Sequence, residues 1–317
     1  MPPLMLAPMR GFTDVVFRNA FHQHFPGVGE AVAPFVTSIR GRRIKSSHLR
    51  DLDPAENMGM AIVPQILSKD PAEFVCLANT LHDMGYKEIN WNLGCPYPMV
   101  AKKMRGSGLL PHPDRIDRML DCIMSGFSGR LSVKARLGRE SAEEMEKLIP
   151  VFNRYPISRI IIHPRTGVQM YSGEVDLDSF QNCMQRLSHP LVFNGDINTL
   201  PTFRALADRF PSVSGWMLGR GLISNPFLAE MIHHDTTMVD RSKERFLLFH
   251  DELVDGYCKL FSGPGHVLDR MKGFWRYFVT GLSQGRRSLK RIRKSGSLDR
   301  YRQEVVKALS CQDEWGG

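Results

Sequence analysis

The sequence has no run of about 18 or more uncharged apolar residues, the length a helix needs to cross a bilayer, so no membrane span is expected. It lacks a leading basic segment followed by an apolar stretch and a small-residue cleavage site, so no secretory signal is expected either. The six cysteines, Cys76, Cys95, Cys122, Cys183, Cys258 and Cys311, are widely and irregularly spaced. No close cysteine pair or Cys/His cluster has metal-ligand spacing, which argues against a structural metal site. Scattered free thiols fit a reducing, cytoplasmic setting. Cys76 and Cys122 fall within apolar helical patterns, where a free thiol usually serves as a small hydrophobe. Internal repeats and low-complexity tracts are missing. So is a GxGxxG turn after the first apolar segment, which counts against an open, doubly wound dinucleotide fold.

What is present is a chain of 317 residues, 42% apolar and 24% charged, able to bury a large core. Its formal charge of +9 is unevenly placed: residues 270–302 hold eleven Lys or Arg against the single acid Asp299, and the remainder is close to neutral. A strongly basic segment on a neutral body suggests a polyanion partner; a solvated helical face is the alternative.

Short β-type segments alternate with amphipathic helical ones over residues 4–232. Strands are expected at 4–7, 30–36, 61–67, 88–92, 131–136, 159–163, 191–194 and 213–218. Asp70-Pro71-Ala72-Glu73 caps one helix and Ser141-Ala142-Glu143-Glu144 another, and a third follows Pro113. Eight strand–helix repeats in roughly 230 residues predict an α/β fold, a (β/α)8 TIM barrel. Beyond it only helical stripes remain: Phe246, Phe249, Leu253, Tyr257 and Leu260; Met271, Phe274, Trp275 and Phe278; Leu298, Tyr301, Val305 and Leu309. The expected division is a catalytic barrel over residues 1–236 and a smaller all-helical domain over 237–317.

Barrels bind ligands at the C-terminal ends of their strands, and polar residues recur there. They are Pro8-Met9-Arg10, Gln65, Asn90 and Asn92, Lys134 and Arg136, His163 and Arg165, Asn194 and Asp196, and Gly219-Arg220-Gly221. The last run, with Gly195, suits a phosphate cradle, although such glycines can simply serve a turn. Lys134 and Arg136 share one strand parity and have no acid adjacent in sequence, so they call for an anionic ligand or partners from other strands. Cys95, between Gly94 and Pro96 in a loop, has no helical stripe to bury it and is a candidate participant in chemistry. Lys102, Lys103 and Arg105 with Gly106-Ser107-Gly108 suggest a mobile, electropositive loop.

Taken in order and spacing, Ala7-Pro8-Met9-Arg10-Gly11-Phe12-Thr13-Asp14, Gln65, Asn92-Leu93-Gly94-Cys95-Pro96, Lys134-Ala135-Arg136, His163-Pro164-Arg165-Thr166, Asn194-Gly195-Asp196 and Gly219-Arg220-Gly221 resemble the tRNA-dihydrouridine synthases over nearly the whole chain. The resemblance implies FMN across the barrel mouth and NADPH as reductant. Ala7, Pro8 and Met9 would pack on the ring, Gln65, Lys134 and His163 would be polar contacts, Gly195, Gly219 and Arg220 would hold the phosphate, and Asn194 and Asp196 would also contact the cofactor. It implies hydride transfer to uracil C6 and protonation of C5 by Cys95. Asn92, Lys103, Arg136, Arg165 and Tyr171 would hold the nucleotide, and Arg286, Arg287, Lys290, Arg291 and Arg293 the backbone of the tRNA. A monomer without structural metal is expected. Arg10, Leu109 and Pro164 depart from the family's usual residues. Two other readings remain open: an FMN barrel acting on a free pyrimidine or other small molecule, and a non-catalytic RNA-binding module.

Overall fold

The computed structural model describes residues 2–39, 49–282, 284–311 and 314–315. Among these, the barrel portion runs β1 (Leu4–Leu6), α1 (Val15–His24), β2 (Glu30–Val32), β3 (Val36–Thr37), β4 (Ala61–Val63), β5 (Gln65–Leu67), α2 (Pro71–Asp83) and β6 (Glu88–Leu93). It continues through α3 (Pro98–Ala101), α4 (Pro113–Gly126), β7 (Arg130–Gly138), α5 (Glu143–Phe152), β8 (Ile160–Thr166), α6 (Leu177–Arg186), β9 (Leu191–Asn194), α7 (Leu200–Arg209), β10 (Gly215–Leu218), α8 (Arg220–Ser224) and α9 (Leu228–His233). All strand pairs are parallel, and their order is β3-β5-β6-β7-β8-β9-β10-β1-β2-β4.

The second and third expected strands are each split in two. Pro34 falls between β2 and β3 and Pro64 between β4 and β5; neither can donate to the ladder. Both halves still pair in step, β2 with β4 and β3 with β5. Because β3 follows on from β2 and β5 from β4, the sheet curls closed as a barrel.

Strand parity separates two cores. Met5, Ala7, Val32, Val63, Ile161, Val192 and Met217 fill the barrel, while their sequence neighbours Leu4, Leu6, Ile160, Ile162 and Phe193 pack outward against the helices. The helical stripes behave as their spacing predicts, with Phe74, Leu77, Ala78 and Leu81 buried on α2 and Ile116, Met119, Leu120 and Ile123 on α4. Cys76 and Cys122 do not join them. Each lies off its helix's stripe and is exposed, so the expectation that they serve as core hydrophobes fails on helical phase.

At the opposite, N-terminal end of the strands, Arg159 lies 2.7 Å from both Glu30 and Glu88. Removing it would leave two partly buried carboxylates facing each other. Arg159→Ala is expected to cost about 3 kcal/mol, the low end for breaking a buried pair, read as a lowered urea midpoint. A midpoint within error of the parent's would show that solvent already screens the pair.

Among the described residues, α10 (Lys243–Leu260), α11 (Pro264–Phe278), α12 (Gly285–Lys294) and α13 (Leu298–Leu309) follow. Helices α10 and α11 dock on α1 through aromatic rings, Phe17 stacking on Phe274 at 5.6 Å and meeting Phe249 edge-on at 5.8 Å. Asp14, the N-cap of α1, also accepts hydrogen bonds from Tyr257 Oη at 2.7 Å and Arg270 Nη1 at 2.5 Å. The helical region is thus fixed against the barrel rather than tethered by a free linker.

Candidate functional site

The parity that sends Met5, Ile161 and Val192 inward also turns Ala7, Asn92, Lys134, Arg136, His163 and Asn194 toward the C-terminal mouth. There a cavity of about 300 Å³ opens. Its lining brings together Ala7, Pro8, Met9, Asn92, Cys95, Lys134, Arg136, His163, Tyr171, Asn194, Gly195, Asp196, Gly219 and Arg220. Among its charged lining residues, Arg10, Lys134, Arg136 and Arg220 face the single carboxylate of Asp196, so the cavity suits an anion.

One wall is bare backbone. A Cβ on Gly219 would stand 3.2 Å from Met9 Sδ and 3.3 Å from Ala7 Cβ, and one on Gly195 would reach 2.9 Å from Val175. Asp196 does not offer its charge to this wall. Its carboxylate is divided between Arg165 and Arg220, with Arg220 Nη2 at 2.5 Å from Oδ1. Burial works against that charge, but the Arg165 hydrogen bond and the two guanidiniums hold the carboxyl below the usual carboxylate range. What Asp196 contributes is an oriented Arg220 beside the glycines.

Lys134 has no carboxylate within ion-pair distance among the described residues. Burial, and then the neighbouring Arg136, bring its ammonium down to about 7. A negatively charged ligand here would restore its proton. His163 is held neutral, its pKa pushed well below the ordinary value by burial and then by Arg136, Lys134, Arg165 and Arg220. Its Nε2 lies 3.0 Å from Arg165 Nη1; since arginine only donates, Nε2 accepts and Nδ1 carries the hydrogen.

Cys95 is clamped from three sides. Asn92 Oδ1 accepts from the backbone N–H of Gly94 at 3.1 Å and of Cys95 at 2.9 Å. Asn92 in turn donates to Gln65 Oε1 at 2.7 Å, and Gln65 donates to Asn90 Oδ1 at 2.8 Å. Arg136 Nε donates to Gly94 O at 3.1 Å and its Nη1 to Thr166 O at 2.7 Å. From below, the N–H and the hydroxyl of Ser107 both donate to Cys95 O at 3.0 Å. Gly106 makes this approach possible: at φ +56° a Cβ there would sit 2.8 Å from Cys95 Cβ. Of the segment expected as a mobile, electropositive loop, Lys102 and Lys103 are exposed, but Gly106, Ser107 and Gly108, with Leu109, form a buried buttress. Burial pushes the Cys95 thiol above its ordinary value, offset in part by the Tyr97 N–H and then by Arg136, Arg10 and Lys134. A protonated thiol at neutral pH follows.

Several expected site residues stand elsewhere. Gln65 is fully buried beneath Asn92 and does not line the cavity. Arg165 is spent internally on His163, Asp196 and the carbonyls of Ser172 and Gly173. Lys103 is exposed outside the mouth. Arg286, Arg287, Lys290 and Arg293 are exposed on α12, whereas Arg291 is half-buried with Nε 3.3 Å from Glu304. Arg10, expected at the mouth only as a strand-end residue, lines the cavity, and so do Phe35, Tyr97 and Tyr277, which were not expected there. Tyr277 comes from α11, and no local pattern marks a helical residue that crosses to a barrel mouth.

Fold and site together define a barrel whose cation-lined mouth holds a positioned thiol with a raised pKa. The sequence model described as "Dihydrouridine synthase (Dus)" matches residues 5–273, and the chain belongs to that family. It is 30% identical to the tRNA-dihydrouridine synthase B of Yersinia pestis over 267 residues, 83% of this chain and 82% of that one. It is also 30% identical to the tRNA-dihydrouridine synthase B of Proteus vulgaris over 233 residues, 73% and 71% of the two chains. Among solved structures, 2-naphthoyl-CoA reductase in complex with 2-naphthoyl-CoA aligns at TM-score 0.56 and 12% identity, over 74% of this chain and 50% of that one. Morphinone reductase in complex with tetrahydroNAD aligns at TM-score 0.54 and 9% identity, over 77% and 90%. These two share the fold. Among the described residues, no helix is long and apolar enough to cross a membrane and no His/Cys/Asp/Glu group could hold a metal ion.

Proposed function

We propose that this protein reduces a uridine of tRNA to 5,6-dihydrouridine, with FMN as its cofactor and NADPH as the reductant. The observation that carries the proposal is a buried Cys95, fixed by Asn92 at a cavity whose cations outnumber its one acid. The residues fit FMN: the Gly195 and Gly219 wall admits a phosphate where side chains would intrude, and Lys134 lacks a counter-ion among the described residues. Ala7, Pro8 and Met9 would pack on the ring, and Arg220, Lys134 and His163 Nδ1–H would supply polar contacts. Bound there, FMN would pass to uracil C6 the hydride it receives from NADPH.

The chain's own residues do the rest. Cys95 Sγ gives its proton to C5, so hydride and proton together add the two hydrogens of the product. The thiolate left behind faces Arg136, Arg10 and Lys134, which stabilise it until solvent returns the proton. Asn92 acts here through the Cys95 loop, since its amide oxygen is committed to that loop's N–H groups. The uridine must leave its stack to reach the mouth, and the exposed cations of α12 suit the RNA backbone. The proposed division is a catalytic barrel over residues 1–236 and a tRNA-binding helical domain over 237–317. One chain supplies all these parts, so the proposed unit is a monomer, and its free cysteines suit the cytoplasm.

The direct test supplies purified protein with FMN, NADPH and unmodified tRNA, and reads dihydrouridine by mass spectrometry of the digested RNA. Dihydrouridine at a defined position is the expected result. Equal reduction of free uridine would overturn the assignment to RNA, and RNA binding without any NADPH oxidation would overturn the enzyme.

A further inference from the structure

Tyr97 is 52% exposed, yet it lines the cavity two residues from Cys95. Among the described residues its ring meets no other aromatic and its hydroxyl has no hydrogen-bond partner. The fold nevertheless holds it firmly. It lies between Pro96 and Pro98, extended at φ −57° and ψ 131°, at the start of α3. Arg139 Nη1 donates to Pro96 O at 3.1 Å, and Tyr97 O accepts from the N–H groups of Val100 and Ala101 at 2.9 Å. An exposed ring with so little backbone freedom has little entropy left to lose on contact with a ligand.

Tyr171, from the loop after β8, and Tyr277, from α11, stand beside it. Burial foremost, and then the nearby Tyr97 phenol, push both of their hydroxyls up. Their rings are already engaged. Tyr171 carries the guanidiniums of Arg136 and Arg220 at 5.2 and 5.1 Å, and Tyr277 meets Phe12 edge-on at 5.1 Å. Among the described residues Tyr97 therefore presents the uncommitted aromatic face of the trio. Exposed Arg10 lies on the same mouth, and exposed Arg276 is near enough to Tyr277 to act on its hydroxyl.

We propose that Tyr97 is a stacking site for the nucleobase next to the target uridine. The inference rests on the proposed reduction of uridine in RNA. Withdrawing a uridine into the cavity uncovers one face of each neighbouring base at the mouth. Tyr97 covers one of those faces, and the cations around it favour a polyanionic chain over an apolar peptide. The substrate class this selects is a uridine in an unpaired stretch whose neighbour is free to turn, rather than one held between paired bases.

The experiment is a cycle between Tyr97 and the neighbouring base. Affinity and single-turnover kcat/KM are measured for the parent, Tyr97→Phe and Tyr97→Ala, on tRNA and on the same tRNA carrying an abasic nucleotide 5′ or 3′ of the modified uridine. On intact tRNA, Tyr97→Ala should lose about tenfold in both quantities, the effect of one base–aromatic stack, and Tyr97→Phe should match the parent. At one flank the abasic RNA should cost the parent about the same factor and cost Tyr97→Ala nothing more. Parental values for Tyr97→Ala on intact tRNA would overturn the proposal. So would a tenfold loss for Tyr97→Ala that persists on both abasic RNAs, because the ring would then act through the Cys95 loop. A parent that makes no dihydrouridine in any RNA overturns the enzymatic reading itself, whereas an active parent without this coupling overturns only the stacking site.

Discussion

Replacing Cys95 by alanine should slow dihydrouridine formation about 10²–10⁴-fold, the range typical of a positioned general acid. The substitution removes the donor and little else. The loop is held by Asn92, Arg136 and Ser107 through the backbone of Gly94 and Cys95, so these bonds survive loss of the thiol. NADPH oxidation by the flavin needs no uridine, so it should proceed in the variant, and single-turnover measurements with tRNA would separate the two half-reactions. The pH dependence supplies a second readout. The acid works in its protonated form, and burial raises the thiol above its ordinary 9.0. The protonation step should hold its rate through neutrality and fall only as pH climbs past that raised value; the limb should vanish in Cys95→Ala. Parental product yield from Cys95→Ala would reject the thiol as donor.

The barrel was legible because its signal is repetitive. Strand parity and helix stripes recur around the ring, and an error in one strand is outvoted by its neighbours. The sequence pattern did not reveal that residues 30–36 and 61–67 each break in two. Apart from Glu30 and Gln65 both stretches are apolar, and the breaks come from missing donors at Pro34 and Pro64, not from hydropathy. The cysteines were misjudged for a similar reason. Cys76 sits among Phe74, Leu77 and Ala78 in sequence, but a step of about 100° per residue puts it on the other side of α2.

The mouth was legible from strand ends alone, but its hydrogen-bond accounting was not. Parity says that Gln65, Asn92 and Arg165 point inward; it cannot say that Gln65 ends beneath Asn92 or that Arg165 is consumed by His163 and Asp196. Those partnerships cross between strands far apart in sequence. Gly106 to Leu109 misled in the opposite sense, since glycine and serine read as a loose turn when their small size in fact allows backbone to close on Cys95.

Neutralising the exposed face of α12 should weaken tRNA binding by more than a hundredfold at low salt. Arg286, Arg287, Lys290, Arg293 and Lys294 recur at helical spacing along one exposed face, while Ser288 and Ile292 are buried on the other. If each cation neutralises one phosphate, replacing all five with glutamine lowers the slope of log affinity against log salt by about 4, which is about 250-fold between 50 and 200 mM. Glutamine keeps helix propensity close to that of lysine and arginine, so the helix itself should persist. Arg291 supplies the internal control. With its guanidinium at Glu304, itself only 7% exposed, Arg291→Gln should lower stability and leave the salt slope nearly unchanged. Filter binding across a salt series, with urea denaturation of both variants, distinguishes the cases. A quintuple variant that keeps the parental slope would make the stripe a solvated surface, and the tRNA would then have to be held by the cations of the mouth.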